Sequence, residues 1–385
     1  MDEFRKNSIE FNKKLEKEYR QERGIYFTPK KIRQRLFEVV KQFLPEEPQT
    51  ILEPSFGSGE FLCDSKIHFP KAKIQAVELD KDLFHSIRLP GVTFTNQDFL
   101  EYKGVPVKLI LGNPPYFVTE QKDPRCMVGR GNIYVQFIYK CATEHLEKDG
   151  ILAFIIPTSF YNSSYYEPCR KYIYEHLTIV HLENLDGGFY DTTQGTTLMV
   201  LQNKKTDEKN FTVQIDSKIY LTPYYKEINN LLVGSTTIGA LFCRVKTGEV
   251  VWNQNKDSLH DVKGDIIIYS SNIINNTLVF DIPMKNGKKQ RINNFKGEPI
   301  QGPAIVVNRG YGNSFKLSYA LVPEDMKFHG ENHINVITPL TPEAKNNLSR
   351  IIKSFENPKT KEFISIFCGN GALSKSELES ILPIF

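Results

Sequence analysis

The chain has 385 residues, of which 40% are hydrophobic and 24% charged, with a formal net charge of +4. That length suits two cores rather than one, and the composition excludes a disordered or fibrous chain. No apolar run approaches the ~20 residues needed to span a bilayer, and the charged N-terminus lacks an export signal's apolar segment.

Six scattered cysteines, without CxxC or metal-ligand spacing, point to free thiols in a reducing compartment and to no metal centre. The expected location is the cytoplasm or the nucleoid, with no membrane partner.

Residues 1–20 read as a very polar helical stretch with a thin stripe of Phe11, Leu15 and Tyr19. From Thr50 the pattern becomes strand, turn, helix. Short apolar strands are expected near Thr50–Leu52, Lys73–Val77, Val92–Phe94, Leu109–Leu111, Ile151–Ile156, Ile179–Leu182 and Thr197–Leu201, with helices at Tyr134–Lys148 and Glu167–His176 between them. Such alternation predicts an α/β fold built on a doubly wound, mostly parallel sheet. The polar run 203–210 divides the chain into domains 1–205 and 211–385. The second has short β-like segments with Asn and Gly turns, then helices near Pro342–Phe355 and Ser374–Leu382, a mixed α+β texture.

Charge is uneven. Residues 1–200 hold 26 basic against 27 acidic side chains, whereas residues 201–385 hold 23 against 18. Between Lys285 and Lys316 seven basic residues (Lys285, Lys288, Lys289, Arg291, Lys296, Arg309, Lys316) face one acid, Glu298. Such a stretch suits a polyanion, or is simply a solvated lysine-rich face.

Chemistry concentrates at the strand ends, where open α/β sheets bind ligands. After the first strand comes Glu53-Pro54-Ser55-Phe56-Gly57-Ser58-Gly59, whose glycines allow close approach to a ligand. Leu62 stands where a dinucleotide fingerprint needs its third glycine, which argues against a pyrophosphate cofactor. Glu78 ends the second strand and can accept from both hydroxyls of a ribose. Asp98-Phe99 ends the third and can take an adenine amino group and ring face. Singly, each acid is as readily a cap or a surface group; in series they describe a nucleoside pocket without a phosphate site. Asn113-Pro114-Pro115-Tyr116 ends the fourth strand. Its prolines stiffen the turn, so the Asn113 amide oxygen and the Pro114 carbonyl become two fixed acceptors for one amino group, and an aromatic ring follows for stacking.

Together these motifs resemble the gamma class of S-adenosylmethionine-dependent DNA adenine N6-methyltransferases, a Rossmann-like fold with a C-terminal target-recognition domain. The resemblance covers residues from about Gly24 to Gln202 and more loosely the remainder. It implies that Tyr26 and Thr28, in Tyr26-Phe27-Thr28-Pro29, with Glu53, Ser55, Gly57 and Gly59, hold the methionine end of S-adenosylmethionine. It assigns Glu78 to the ribose and Asp98 and Phe99 to the adenine, with Asn113, Pro115 and Phe137 (in Asn132-Ile133-Tyr134-Val135-Gln136-Phe137) completing the cofactor wall. Asn113, Pro114, Tyr116 and Phe189 become the catalytic group, the two aromatic residues stacking on a flipped base. Val245-Lys246-Thr247-Gly248 resembles a turn of such specificity domains. Duplex DNA is the implied partner, in a restriction-modification setting that admits a separate cognate endonuclease, and no metal is called for.

Lys122, Arg125 and Arg130, in the polar segment 117–131 that is expected to be mobile, together with Lys288, Lys289, Arg291 and Arg309, are the expected phosphate contacts. Three other readings stay open at this point: an RNA adenine methyltransferase, a protein glutamine N-methyltransferase using the same turn, and a non-catalytic nucleic-acid binder on a methyltransferase fold. Cytosine N4 transfer uses a related turn that more often begins with Ser.

Overall fold

A computed structural model of the chain describes residues 4–185, 195–309, 316–367 and 373–385. It divides into two compact units, Met1–Tyr225 and Lys226–Phe385.

The first unit is built on a seven-stranded sheet. In chain order the strands are β1 (Thr50–Glu53), β2 (Lys73–Glu78), β3 (Val92–Asn96), β4 (Val107–Gly112), β5 (Leu146–Pro157), β6 (Thr178–Leu185) and β7 (Thr196–Gln202), arranged β3-β2-β1-β4-β5-β7-β6. The first five run parallel, and β7 inserts antiparallel between β5 and β6. All seven expected strands are present, and the doubly wound α/β architecture holds. The progression of strand order reverses between the parallel neighbours β1 and β4, which opens a crevice at their C-terminal edges.

Alternation along β5 shows how both faces are covered. Leu152, Phe154 and Ile156 join one core cluster and Ile151, Ala153 and Ile155 the other, the period of two a strand imposes. Helix α3 (Lys30–Phe43) closes the second face with Leu36, Phe37, Val39 and Val40, all fully buried. It is preceded by α1 (Lys6–Lys14) and α2 (Lys17–Arg23), and α4 (Glu60–His68) follows β1. Arg33 of α3, 2% exposed, pairs with Glu60 at 2.8 Å and Asp64 at 2.6 Å on α4, and donates to the Thr28 carbonyl.

Three local expectations differ. The helix expected to run to Lys148 is Ile133–Lys140 with a wide turn at Cys141–His145, because Leu146 already pairs with Val107 at the start of β5. The division between units falls beyond the polar run 203–210. A hairpin, Thr212–Ile215 and Lys218–Leu221, stays with the first unit because Ile219 and Leu221 enter its core and buried Arg170 donates to the Ile219 carbonyl at 2.7 Å. A helix at Pro358–Phe367, unmarked in the sequence reading, buries Phe363 and Ile364.

The second unit is mixed α+β. Strands Cys243–Thr247, Ile334–Pro339, Ala304–Asn308 and Tyr319–Val322 form a four-stranded antiparallel sheet in that order, accompanied by a five-stranded sheet of shorter strands and helices Asn347–Glu356, Pro358–Phe367 and Lys375–Ser380. Its core centres on Ile268, Val306, Phe328 and Val336.

Arg33→Ala leaves Glu60 and Asp64 without their buried partner. A loss of about 3–5 kcal/mol of stability is expected, read from the midpoint and slope of urea unfolding.

Candidate active site

A cavity of about 460 Å³ opens at the C-terminal edges of β1–β4, the position the reversal of strand order favours. Successive strands supply its walls: Ser55 and Gly57 after β1, Glu78 and Asp80 after β2, Asp98 and Phe99 after β3, Asn113 and Pro115 after β4. Phe137 comes from the helix α6 (Ile133–Lys140), its ring 4.9 Å from that of Phe99, and Tyr26 closes the N-terminal side. Residues more than a hundred positions apart thus meet at one sheet edge. A second cavity of about 40 Å³ shares Tyr26, Ser55, Gly57 and Asn113, and adds Thr28 and Glu53.

Glu78 is held where a sugar could reach it. Its two oxygens accept from the backbone N–H of Gly57 and Asp80, at 2.8 and 2.9 Å, and each retains a lone pair. Burial outweighs those bonds and lifts its carboxyl to about 7. Glu53 is 1% exposed, and one of its oxygens is buried without a partner. Burial, then the charge of Glu78, raise its carboxyl well above the usual range. An orphaned carboxylate oxygen beside a small cavity fits a cationic ligand group such as an ammonium, and the Phe99–Phe137 wall fits a planar ring. Asp98 caps the turn Phe99–Glu101 through Leu100 N at 2.8 Å while lining the larger cavity. The residues therefore fit a nucleoside carrying an amino-acid-like tail.

The sequence places Gly59 among the ligand contacts, but it lines neither cavity. It caps α4 at φ +82°, where a Cβ would stand 2.8 Å from Ile87, so its glycine answers to packing.

Asn113 is fixed in direction. Its amide nitrogen donates to the Tyr26 carbonyl and to Thr28 Oγ1, both at 3.1 Å. Both N–H bonds are then spoken for, and Oδ1 is left as the acceptor. Thr28 accordingly works on the amide as well as lining the small cavity.

Tyr116 departs from the stacking platform expected of it. Its ring is 8% exposed, lies against Tyr26 and Tyr134 in the core, and lines neither cavity. The hydroxyl reaches the Ile155 carbonyl at 2.6 Å and faces Asn113 Oδ1. Burying the ring while its phenol keeps a partner explains the position, and burial holds the phenol protonated. The aromatic ring that follows the turn into the cavity is Phe117, which the sequence reading passed over. Pro114 lines neither cavity, and Phe189 lies outside the described residues.

Segment 117–131 is tethered rather than free. Val118 bridges Asn132, Cys126 and Met127 are buried, and Val128 N donates to the Tyr165 carbonyl at 2.9 Å. Cys126 and Met127, buried within a polar run, are the anchor that its overall polarity obscured. Lys122 and Arg130 are exposed, whereas Arg125 is engaged by Asp123, Nη2 to Oδ2 at 2.6 Å. In the second unit Lys288 lies over Trp252 and Tyr269, Lys289 pairs with Asp261 at 3.2 Å, Arg291 donates to the Gly264 carbonyl and Arg309 to the Asn332 carbonyl. Among the described residues no three His, Cys, Asp or Glu side chains gather as a metal site, and no helix is long and apolar enough to cross a membrane.

Comparison with known proteins gives one family match, the Eco57I restriction-modification methylases, over residues 64–189. Over 396 residues the chain is 35% identical to modification methylase CviBIII of Paramecium bursaria Chlorella virus NC1A, covering 100% of each. Over 398 residues it is 29% identical to type II methyltransferase M.CvrRI of Paramecium bursaria Chlorella virus XZ-6E, covering 99% of each. Among solved structures, the type IIG restriction endonuclease BpuSI aligns with a TM-score of 0.45 at 13% identity, over 94% of this chain and 59% of that one.

The raised carboxyls set a pH dependence. Below 4.5, Glu78 is protonated in folded and unfolded chains alike; from there to about 7 the unfolded chain loses the proton while the folded one keeps it. Its contribution to stability is therefore lost as pH rises through that window. Glu78→Gln is expected to show a shallower fall than wild type in unfolding free energy between those values. The residual slope is expected to keep the same sign, because Glu53 is shifted in the same direction.

Proposed function

The chain belongs to the type II restriction-modification methylases, and from that membership we propose that it is a site-specific DNA adenine methyltransferase, carrying a methyl group from S-adenosylmethionine to N6 of an adenine flipped out of duplex DNA. The observation that carries this reading is the Asn113 amide, whose two N–H bonds are taken up by Tyr26 and Thr28 at the edge of a nucleoside-shaped cavity. Glu78 would hold the ribose hydroxyls, Asp98 with Phe99 and Phe137 the cofactor's adenine, and Glu53 the methionine ammonium. Bound there, S-adenosylmethionine supplies the electrophilic methyl.

The rest is done by the chain. An adenine amino lone pair is delocalised into its ring and is a poor nucleophile. Asn113 Oδ1 and the Pro114 carbonyl accept its two N–H bonds, draw the nitrogen towards tetrahedral geometry and aim the lone pair at the methyl. Tyr116 has one hydroxyl proton. It can go to the Ile155 carbonyl or to Asn113 Oδ1, whose second lone pair stays open to the substrate in either case, so the phenol supports the turn from the core side. Tyr26 and Phe117 are the rings available at the cavity for a base removed from its stack, a step costing a few kcal/mol. With Tyr116 withdrawn, Phe189 is the other candidate for stacking. The unit ending at Tyr225 would carry the chemistry, and residues 226–385 would read the target, with Lys288, Lys289, Arg291 and Arg309 against the backbone. A separate endonuclease reading the same site would be the natural partner.

The test is transfer of labelled methyl from S-adenosylmethionine to unmethylated duplex DNA, with RNA and a protein extract as parallel acceptors and the DNA digested to nucleosides. N6-methyladenine from duplex DNA is expected; label in RNA or protein alone would overturn the substrate assignment. Asn113→Ala is expected to abolish transfer while cofactor affinity stays within a few-fold; wild-type turnover would refute the mechanism. Neutralising Lys122, Arg125 and Arg130 together should lower the slope of log affinity for DNA against log salt by about 2, with Arg125 contributing least because Asp123 already holds it.

A further inference from the structure

The two N-terminal helices play no part in the reaction as derived, yet α2 lines the larger cavity and α1 bonds to Ser58 and Glu60, which line the small one. At the start of α1, Ser8 Oγ stands 2.8 Å from Ser58 Oγ and also donates to Glu60, while Arg5 donates from its backbone N to Glu60 at 2.9 Å and from Nη2 to Asp64 at 2.8 Å. At its end Lys14 meets Asp82 at 3.1 Å, in the short helix α5 (Lys81–Phe84) after β2. Helix α2 brings the Tyr19 hydroxyl 2.6 Å from Asp80 Oδ2, and its last turn sets Glu22 and Arg23 on the cavity wall. Gly24 then lies so close to the catalytic turn that a Cβ would stand 2.4 Å from Tyr116 N.

Two features of these helices decide their role. Among residues 4–23 the buried ones are Ser8 and Arg20, both polar, while Phe11, Leu15 and Tyr19 are half-buried. A segment anchored by polar bonds, without a buried apolar side chain, opens at far lower cost than the sheet beneath it. The second feature is where Tyr19 attaches. Asp80 gives its N–H to Glu78 Oε1 at 2.9 Å and caps α5 through Oδ1, so Tyr19 on Oδ2 completes the setting of the acid assigned to the ribose.

We propose that α1 and α2 form a strap latched at the rim of the cofactor cavity, with Tyr19 as its catch and as the positioning residue for the Asp80–Glu78 pair. The strap swings clear for S-adenosylmethionine to enter and for S-adenosylhomocysteine to leave. This rests on S-adenosylmethionine occupying the cavity, as proposed above. A latch differs from a simple contact in kinetics: releasing it speeds entry as well as exit, whereas deleting a contact speeds exit alone.

The test follows tritiated S-adenosylmethionine on the full chain without nucleic acid, measuring association directly and dissociation by a chase of unlabelled S-adenosylhomocysteine. Tyr19→Phe is expected to raise dissociation about tenfold or more, the scale of one hydrogen bond to a charged group, and to raise association as well. Lys14→Ala, exposed and remote from the cavity, should shift both rates the same way by less, and added salt should do so in wild type by screening the ion pairs. Faster dissociation with unchanged association, or unchanged rates in both variants, would overturn the latch. Failure of wild type to retain any S-adenosylmethionine would instead overturn the cofactor reading, and the strap with it.

Discussion

Arg33 ties together, by charge, three segments that also pack through Phe37 and Phe61. Its guanidinium is out of water, and a buried charge of that size is tolerated only when partners surround it. Glu60 and Asp64 answer the charge from the start of α4, and the Thr28 carbonyl takes a further N–H. The arrangement pins the N-terminal segment against the loop after β1. Thr28, held through its carbonyl, presents its hydroxyl to the amide of Asn113. One of the two bonds that direct the side chain on which the proposed chemistry turns is therefore tied to a charge on α3, through a single intervening residue.

The acids around the cavity are compensated to different degrees, and the differences are informative. Glu60 has a guanidinium, Glu78 has two backbone N–H groups, and Glu53 has neither on one of its oxygens. Burial raises the carboxyls of both Glu53 and Glu78. A cation entering beside Glu53 would draw it back to the carboxylate, so affinity and protonation there are linked. The same logic separates the two aromatic residues after the prolines. Tyr116 has a hydroxyl that finds a carbonyl inside the core, whereas Phe117 has none and can remain at the cavity.

Much of this was legible in the chain. Each strand was marked by a short apolar run, and because parallel strands place their ligand groups at one edge, Glu53, Glu78, Asp98 and Asn113 could be read as neighbours before any contact was known. What the sequence concealed depended on contacts rather than pattern. That Tyr116 goes inward and Phe117 outward is decided by the position of the Ile155 carbonyl, far along the chain. The anchoring of 117–131 rests on Cys126 and Met127, two residues in a run whose average is polar. The hairpin after the polar linker belongs to the first unit because of what Arg170 and the core beneath it require. Tyr19 looked like one position in an apolar stripe, and its bond to Asp80 could not be foreseen.

The order of the strands has a consequence for how the protein is made. β1 pairs with β4, Ile51 opposite Leu109, across an intervening segment that itself supplies β2 and β3. Closing such distant pairs is entropically slow, and the cavity draws on residues from Glu22 to Phe137. No partial fold contains it. A ligand that binds there adds its free energy to the finished sheet alone, so it widens the gap between the completed fold and every incomplete one.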